Sequence, residues 1–143
     1  MEPTHTSVDD YLAGVTPPKR RAHAEKLLLL LAATTGETPV MWGNIVGFGS
    51  YHYRYASGRE GDAPAAGFAA RKPALTVYLD DIHAHADVLA RLGPHTSSVS
   101  CLYIKDLDAV DQNILAGLVS ACYQSAVTRE FPGGTPSAAE PST

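Results

Sequence analysis

The densest run of aromatic and charged side chains in this sequence lies between Met41 and Lys72. Ser50-Tyr51-His52-Tyr53-Arg54-Tyr55 alternates strictly. An extended strand would therefore present Tyr51, Tyr53 and Tyr55 on one face and His52 and Arg54 on the other. Trp42, Phe48, Phe68 and Tyr78 are expected to join the tyrosine face. Arg59, Glu60, Asp62, Arg71 and Lys72 fall in adjoining loops. Tyrosine and tryptophan combine large rigid area with a polar tip, and an aromatic floor with a charged rim suits a small-molecule pocket. The candidate ligand-binding set is thus Trp42, Tyr51, Tyr53, Tyr55, Arg59, Glu60, Asp62, Arg71, Lys72 and Tyr78. The plainer reading is that the tyrosines pack a half-buried sheet face and Arg59 pairs with Glu60 or Asp62 to fix a loop.

Two further chemistries compete. Asp80-Asp81-Ile82-His83-Ala84-His85-Ala86-Asp87 gathers carboxylates and imidazoles that suit iron or zinc. On a helix His83 and His85 diverge, so the usable metal candidates reduce to Asp80, His83 and Asp87. A capped helix start explains the same residues, and likewise Asp106, Asp108 and Asp111. Cys101 and Cys122 have no metal-type spacing; both read as inert core thiols, Cys101 facing inward beside Val99 and Tyr103. An enzyme using Arg59, Glu60 or Asp62 as acid, base or anion holder remains open, with His52 demoted because it lies opposite the tyrosines.

The elements that must hold these residues are legible in outline. Ser7 caps a short helix ending near Gly14, and Thr16-Pro17-Pro18 opens a second over about 19–33. The five leucines Leu27 to Leu31 suggest a turn buried on most sides. The basic triplet Lys19-Arg20-Arg21 reads as a solvated helix start. Strands are expected at 40–42, 45–49, 50–55, 66–70, 74–79 and 98–104, a polar loop at 56–64, and helices at 83–92 and 110–126. Strands that follow one another without helical crossovers imply an antiparallel sheet. The fold class is therefore α+β: a sheet of about five strands with helices from both chain ends packed against it.

The chain has 143 residues, 45% hydrophobic and 18% charged, which suits one domain. That domain is expected over 7–127, between a flexible 1–6 and a disordered Pro- and Gly-rich tail, 128–143. A net charge of −4 argues against a nucleic-acid partner. The longest apolar run, seven residues from Leu27 to Ala33, argues against a membrane span. Two isolated thiols and no apolar leader point to the cytoplasm.

Three stretches resemble the YdhG-like family of bacterial domains. They are Met41-Trp42-Gly43 through Ile45-Val46-Gly47-Phe48-Gly49 to Gly58-Arg59-Glu60-Gly61-Asp62, then Gly67-Phe68-Ala69-Ala70-Arg71-Lys72 to Tyr78, then Ser100-Cys101-Leu102-Tyr103-Ile104-Lys105. The resemblance implies an α+β domain with an antiparallel sheet. Most members have no assigned activity; one branch has been proposed as a frataxin-like iron chaperone, so iron enters by resemblance only. In relatives the loop before Ser100 is rich in lysine and glycine, whereas Leu92 to Val99 here has no lysine. The expectation is a small-ligand-binding or chaperone-like module, monomer or homodimer. An iron-binding chaperone and a small enzyme are the alternatives.

Overall fold

The computed structural model describes residues 3–54 and 56–128, Arg54 by its backbone alone. Tyr55 and most of the expected C-terminal tail lie outside the described residues. The chain opens with helix α1 (Val8–Ala13), where Ser7 Oγ accepts the Asp10 N–H as expected of an N-cap. Helix α2 (Pro18–Thr35) starts at a proline and stops at Gly36, which takes the left-handed conformation (φ 73°) that glycine adopts without a Cβ clash. Strands β1 (Pro39–Trp42), β2 (Ile45–Phe48), β3 (Tyr51–Arg54), β4 (Glu60–Ala63), β5 (Ala66–Ala70) and β6 (Leu75–Leu79) follow. A 3₁₀ turn (Ile82–His85) leads into the single-turn helix α3 (Ala86–Leu89). Strands β7 (Thr96–Ser97) and β8 (Cys101–Ile104) and the long helix α4 (Gln112–Val127) complete the domain.

Six strands form one antiparallel sheet in the order β1-β2-β5-β6-β8-β7, one more than about five. Its core face follows from the register: Met41 opposes Val46, Val46 opposes Phe68, Phe68 opposes Val77, and Val77 opposes Leu102. Helices α2 and α4 pack against one another and cover this face, with Leu27, Leu31, Leu115 and Val119 fully buried between them and the sheet. The opposite face carries Trp42, Gly47, Gly67, Ala69, Thr76 and Tyr78. Gly47 is required there, because any Cβ would collide with the Trp42 indole and come within 2.8 Å of the Pro64 ring.

Several expectations need correction. The polar loop over 56–64 is half strand: Glu60–Ala63 pairs with Tyr51–Arg54 in a separate two-stranded sheet, so the tyrosine strand is not part of the main sheet. The five leucines are not buried all round, because successive residues on a helix point 100° apart; Leu27 and Leu31 face the core while Leu29 is 69% exposed. The helix expected over 83–92 is a 3₁₀ turn plus one α turn, and Asp81 before it adopts a left-handed conformation (φ 56°) without capping it. Cys101 does not face the core; Leu102 and Ile104 do, which leaves Cys101 and Tyr103 half-buried on the other face. Thr4 in the N-terminal segment donates its backbone N–H to the Met41 carbonyl at 2.7 Å and so is tied to β1.

Phe68, fully buried at the centre of the sheet, and Leu29 give contrasting expectations. Phe68→Ala should cost about 3–5 kcal/mol in chemical denaturation, while Leu29→Gln should stay within about 0.5 kcal/mol of wild type.

Candidate functional site

The residues expected to share one aromatic and charged site divide among three places. The first is the β3–β4 hairpin. Tyr53 is 6% exposed and its ring lies over Gly61, where a Cβ would sit 2.9 Å from the phenol oxygen. Tyr51 packs beside it, ring centroids 6.5 Å apart at a tilt of 59°. On the hairpin's outer face His52 opposes Asp62 and lies diagonal to Glu60. Its Nδ1 is 3.0 Å from Asp62 Oδ1 and its Nε2 2.8 Å from Glu60 Oε1. Both contacts are satisfied when the imidazole is doubly protonated and donates at each nitrogen. The two carboxylates, Asp62 foremost, hold the His52 pKa above its ordinary 6.5. Glu60 and Asp62 therefore sit with His52, away from the tyrosines, on an exposed surface. Arg59 is also exposed, its N–H donating to Ser57 Oγ at 3.4 Å.

The second place is around Trp42, which is 5% exposed and borders a shallow cleft of about 300 Å³ with Glu37 and Ser50. Glu37 accepts the Tyr123 hydroxyl, which ties this edge of the sheet to α4.

The third place joins Arg71, Lys72 and Tyr78 with residues the sequence reading did not select. Arg71 donates from Nε (3.0 Å) and Nη2 (2.7 Å) to the Tyr78 hydroxyl, which raises the already high guanidinium pKa and fixes the plane of the group. At Ala70 the main sheet has lost its β2 partner: the last pair is Val46 with Phe68, and two residues further on lies the β1–β2 turn. The Tyr11 hydroxyl fills this gap by accepting the Ala70 N–H at 2.9 Å. That bond draws the α1–α2 corner against the β5–β6 turn and leaves a cleft of about 630 Å³ between them. One wall is Tyr11, Val15, Thr16 and Pro17; the other is Ala70, Arg71 and Lys72. Among the described residues no carboxylate lines it. Tyr11 and the Thr16-Pro17 corner were missed because nothing local links them to residues more than 50 positions away.

The metal candidates do not assemble. His83 Nε2 donates to the Ser98 carbonyl at 2.9 Å, Asp80 is buried at the end of β6, and Asp87 is on the exposed side of α3, so Asp80, His83 and Asp87 do not converge. Among the described residues the convergent set of this kind is His23, Asp106 and Asp108, with ligand atoms within 4.8 Å of one another. There the buried His23 Nε2 lies 3.1 Å from Asp108 Oδ2, and Lys26 donates to Asp108 Oδ1 at 3.0 Å. Lys26 first, then His23, lowers the Asp108 pKa. Asp106 caps the 3₁₀ turn Leu107–Ala109 and Asp111 caps α4, as expected of aspartates at helix starts. Cys122 is fully buried, which pushes its thiol up to about 12.

Set beside solved structures, the chain matches the crystal structure of a DUF1801-family protein, YdhG of Bacillus subtilis. The TM-score is 0.60 at 16% identity, over 83% of this chain and 90% of that one. The chain shares that protein's fold. It is the architecture that the YdhG-like motifs implied. No family model and no curated protein matches the chain. No helix among the described residues is long and apolar enough to cross a membrane.

The hairpin contacts carry a pH dependence. A raised His52 pKa means that its pairing stabilises the hairpin fully below pH 6.5 and is lost as pH rises through the raised value. A histidine-resolved NMR titration should place His52 above 6.5, and Asp62→Asn should bring it down. A wild-type value at or below 6.5 would contradict the bidentate contact.

Proposed function

We propose that the chain is a YdhG-like domain that binds a small anionic ligand in the cleft between the α1–α2 corner and the β5–β6 turn. The observation that carries this reading is the pairing of Arg71 and Lys72 on a cleft of about 630 Å³ that, among the described residues, no carboxylate lines. That volume is in the range of small-molecule sites. Among the described residues no opposed charge lines the walls, so there the two cations are left to attract an anion rather than to neutralise a neighbour. Tyr78 holds the Arg71 fork in place before any ligand arrives, which lowers the ordering cost of binding. The half-buried ring of Tyr11 and the Pro17 ring offer apolar surface for the rest of the molecule.

This narrows the aromatic and charged set to Arg71, Lys72 and Tyr78 and adds Tyr11, Thr16 and Pro17. An enzyme built on Glu60 and Asp62 is less supported, since both grip His52 on an exposed face outside either cleft. Iron handling would fall on His23, Asp106 and Asp108, where Lys26 already holds Asp108.

A thermal-shift screen of small carboxylates, sulfates, phosphates and neutral molecules tests the reading. Anions should raise the wild-type melting temperature. Charge-assisted hydrogen bonds contribute about 1.5–3 kcal/mol each, so Arg71→Ala should weaken those hits by roughly 10- to 100-fold on titration. A screen in which only neutral compounds bind, or in which Arg71→Ala with Lys72→Ala retains the hits at full affinity, would sink it.

A further inference from the structure

Two polar groups in the cleft beside Trp42 lack the partners that their burial calls for. Trp42 is 5% exposed. A buried indole N–H ordinarily finds an acceptor, yet among the described residues the Trp42 Nε1–H donates to none. Its place is fixed by Gly47. A Cβ there would lie 2.6 Å from Nε1 and 2.4 Å from Cδ1, so the pyrrole edge of the indole rests directly on the glycine. Gly47 itself lines the cleft, as do Trp42 and Val40, which the register places on the same sheet face. The open donor therefore sits at the cleft wall.

Glu37 is the second group. It is half-buried and lines the same cleft. Tyr123 donates its hydroxyl to Oε2. The carboxylate raises the Tyr123 pKa, so the phenol keeps the proton that it donates. Among the described residues Oε1 accepts no hydrogen bond and no cation pairs with the group. A partly desolvated charge without a counter-ion is costly. No basic residue lines the described walls to relieve it.

The chemistry of these two groups defines what would complete them. Glu37 requires a cation. A hard metal ion takes about six or more oxygen ligands, and here one carboxylate offers one free oxygen. A guanidinium fork matches both oxygens of a carboxylate, and Oε2 is engaged. An ammonium is compact, and its three donors can be shared between Glu37 Oε1 and the hydroxyls of Thr38 and Ser50 in the walls. Trp42 Nε1 requires an acceptor. With no cation in the described walls, a neutral oxygen suits it better than a carboxylate. Val40, 40% exposed, and Pro3 offer apolar surface for a carbon body. The volume of about 300 Å³ is at the lower end for small-molecule sites.

We infer that this cleft binds a primary amine that carries a neutral oxygen acceptor, its ammonium on Glu37 and its oxygen on the Trp42 Nε1–H. The site is separate from the cleft at the β5–β6 turn and has the opposite charge preference.

Trp42 is the single tryptophan of the chain, so its one indole N–H resonance reports on the site directly. Titration calorimetry and NMR on the whole chain use tyramine, phenethylamine and 4-ethylphenol as probes; the second lacks the oxygen and the third lacks the ammonium. Tyramine should bind wild type roughly tenfold or more tightly than 4-ethylphenol. It should move the indole N–H resonance downfield, which phenethylamine should not. Glu37→Gln keeps an acceptor for Tyr123 and removes the charge. It should weaken tyramine binding by roughly tenfold or more while leaving the indole resonance of the free protein in place. If 4-ethylphenol binds wild type as tightly as tyramine, or none of the three binds, the proposal fails whether or not the variant folds. Unchanged tyramine affinity in folded Glu37→Gln would overturn it equally. So would an indole resonance that stays fixed at saturating tyramine or moves as far with phenethylamine.

Discussion

The structure depends on covering one face of a six-stranded antiparallel sheet. A sheet of this kind has one face that must be removed from water and one that can remain partly wet. Here α2 and α4 remove the first, and the residues they bury are large: Phe48, Phe68, Leu27, Leu31, Leu75, Leu102 and Ile104 all have negligible exposure. Each such side chain contributes about 1.5–3 kcal/mol on burial, far more than any surface ion pair in the molecule. The positions of both helices follow from this. They approach from opposite ends of the chain because the strands run consecutively between them, so the sheet is closed in sequence before α4 can complete the layer.

The same constraint explains why the cleft of about 630 Å³ falls at the sheet's end and not on its face. The covered face is filled. The other face is narrowed by Trp42 over Gly47 and by Pro64, beside a shallow cleft of about 300 Å³ at its edge. At the β5–β6 end, however, β5 runs past β2 and an unpaired backbone N–H must find a partner. Tyr11 supplies it, and in doing so sets the α1–α2 corner at a fixed distance from Arg71. The cleft is thus a by-product of satisfying one strand end. Its walls are rigid because one is a helix corner and the other a hairpin turn pinned through Arg71 to Tyr78.

Much of this architecture could be read in the residues. The Ser7 cap, the proline start of α2 and the antiparallel order all rest on local rules, and the structure agrees with them, whereas β8 alternates with the opposite face inward, Leu102 and Ile104 in place of Cys101. The failures share a cause. The strand Glu60–Ala63 is charged and glycine-bearing, so it carries no strand propensity; it pairs because β3 lies opposite and His52 can reach both of its carboxylates. Leu29 is exposed because a continuous apolar run on a helix exceeds what one face can bury. The candidate site was half legible. Arg71, Lys72 and Tyr78 stand close in sequence and were selected, but Tyr11 and Thr16 join them only through a contact spanning 59 residues. Spatial neighbours at that separation leave no trace in periodicity or spacing.

What did leave a trace was an inconsistency. Lys19-Arg20-Arg21 after Pro17-Pro18 reads as an ordinary solvated helix start when charge alone is considered. Considered with the dipole, it is the wrong sign at an uncapped end, whereas the starts of α1 and α4 obey the rule with Ser7 and Asp111. A chain that caps two helices in the expected way and leaves a third basic and open is not careless about capping in general. The exception adjoins the cleft that Thr16 and Pro17 line on one side and Arg71 and Lys72 on the other. The stability lost at the helix start is small beside the covered sheet, so the fold tolerates it.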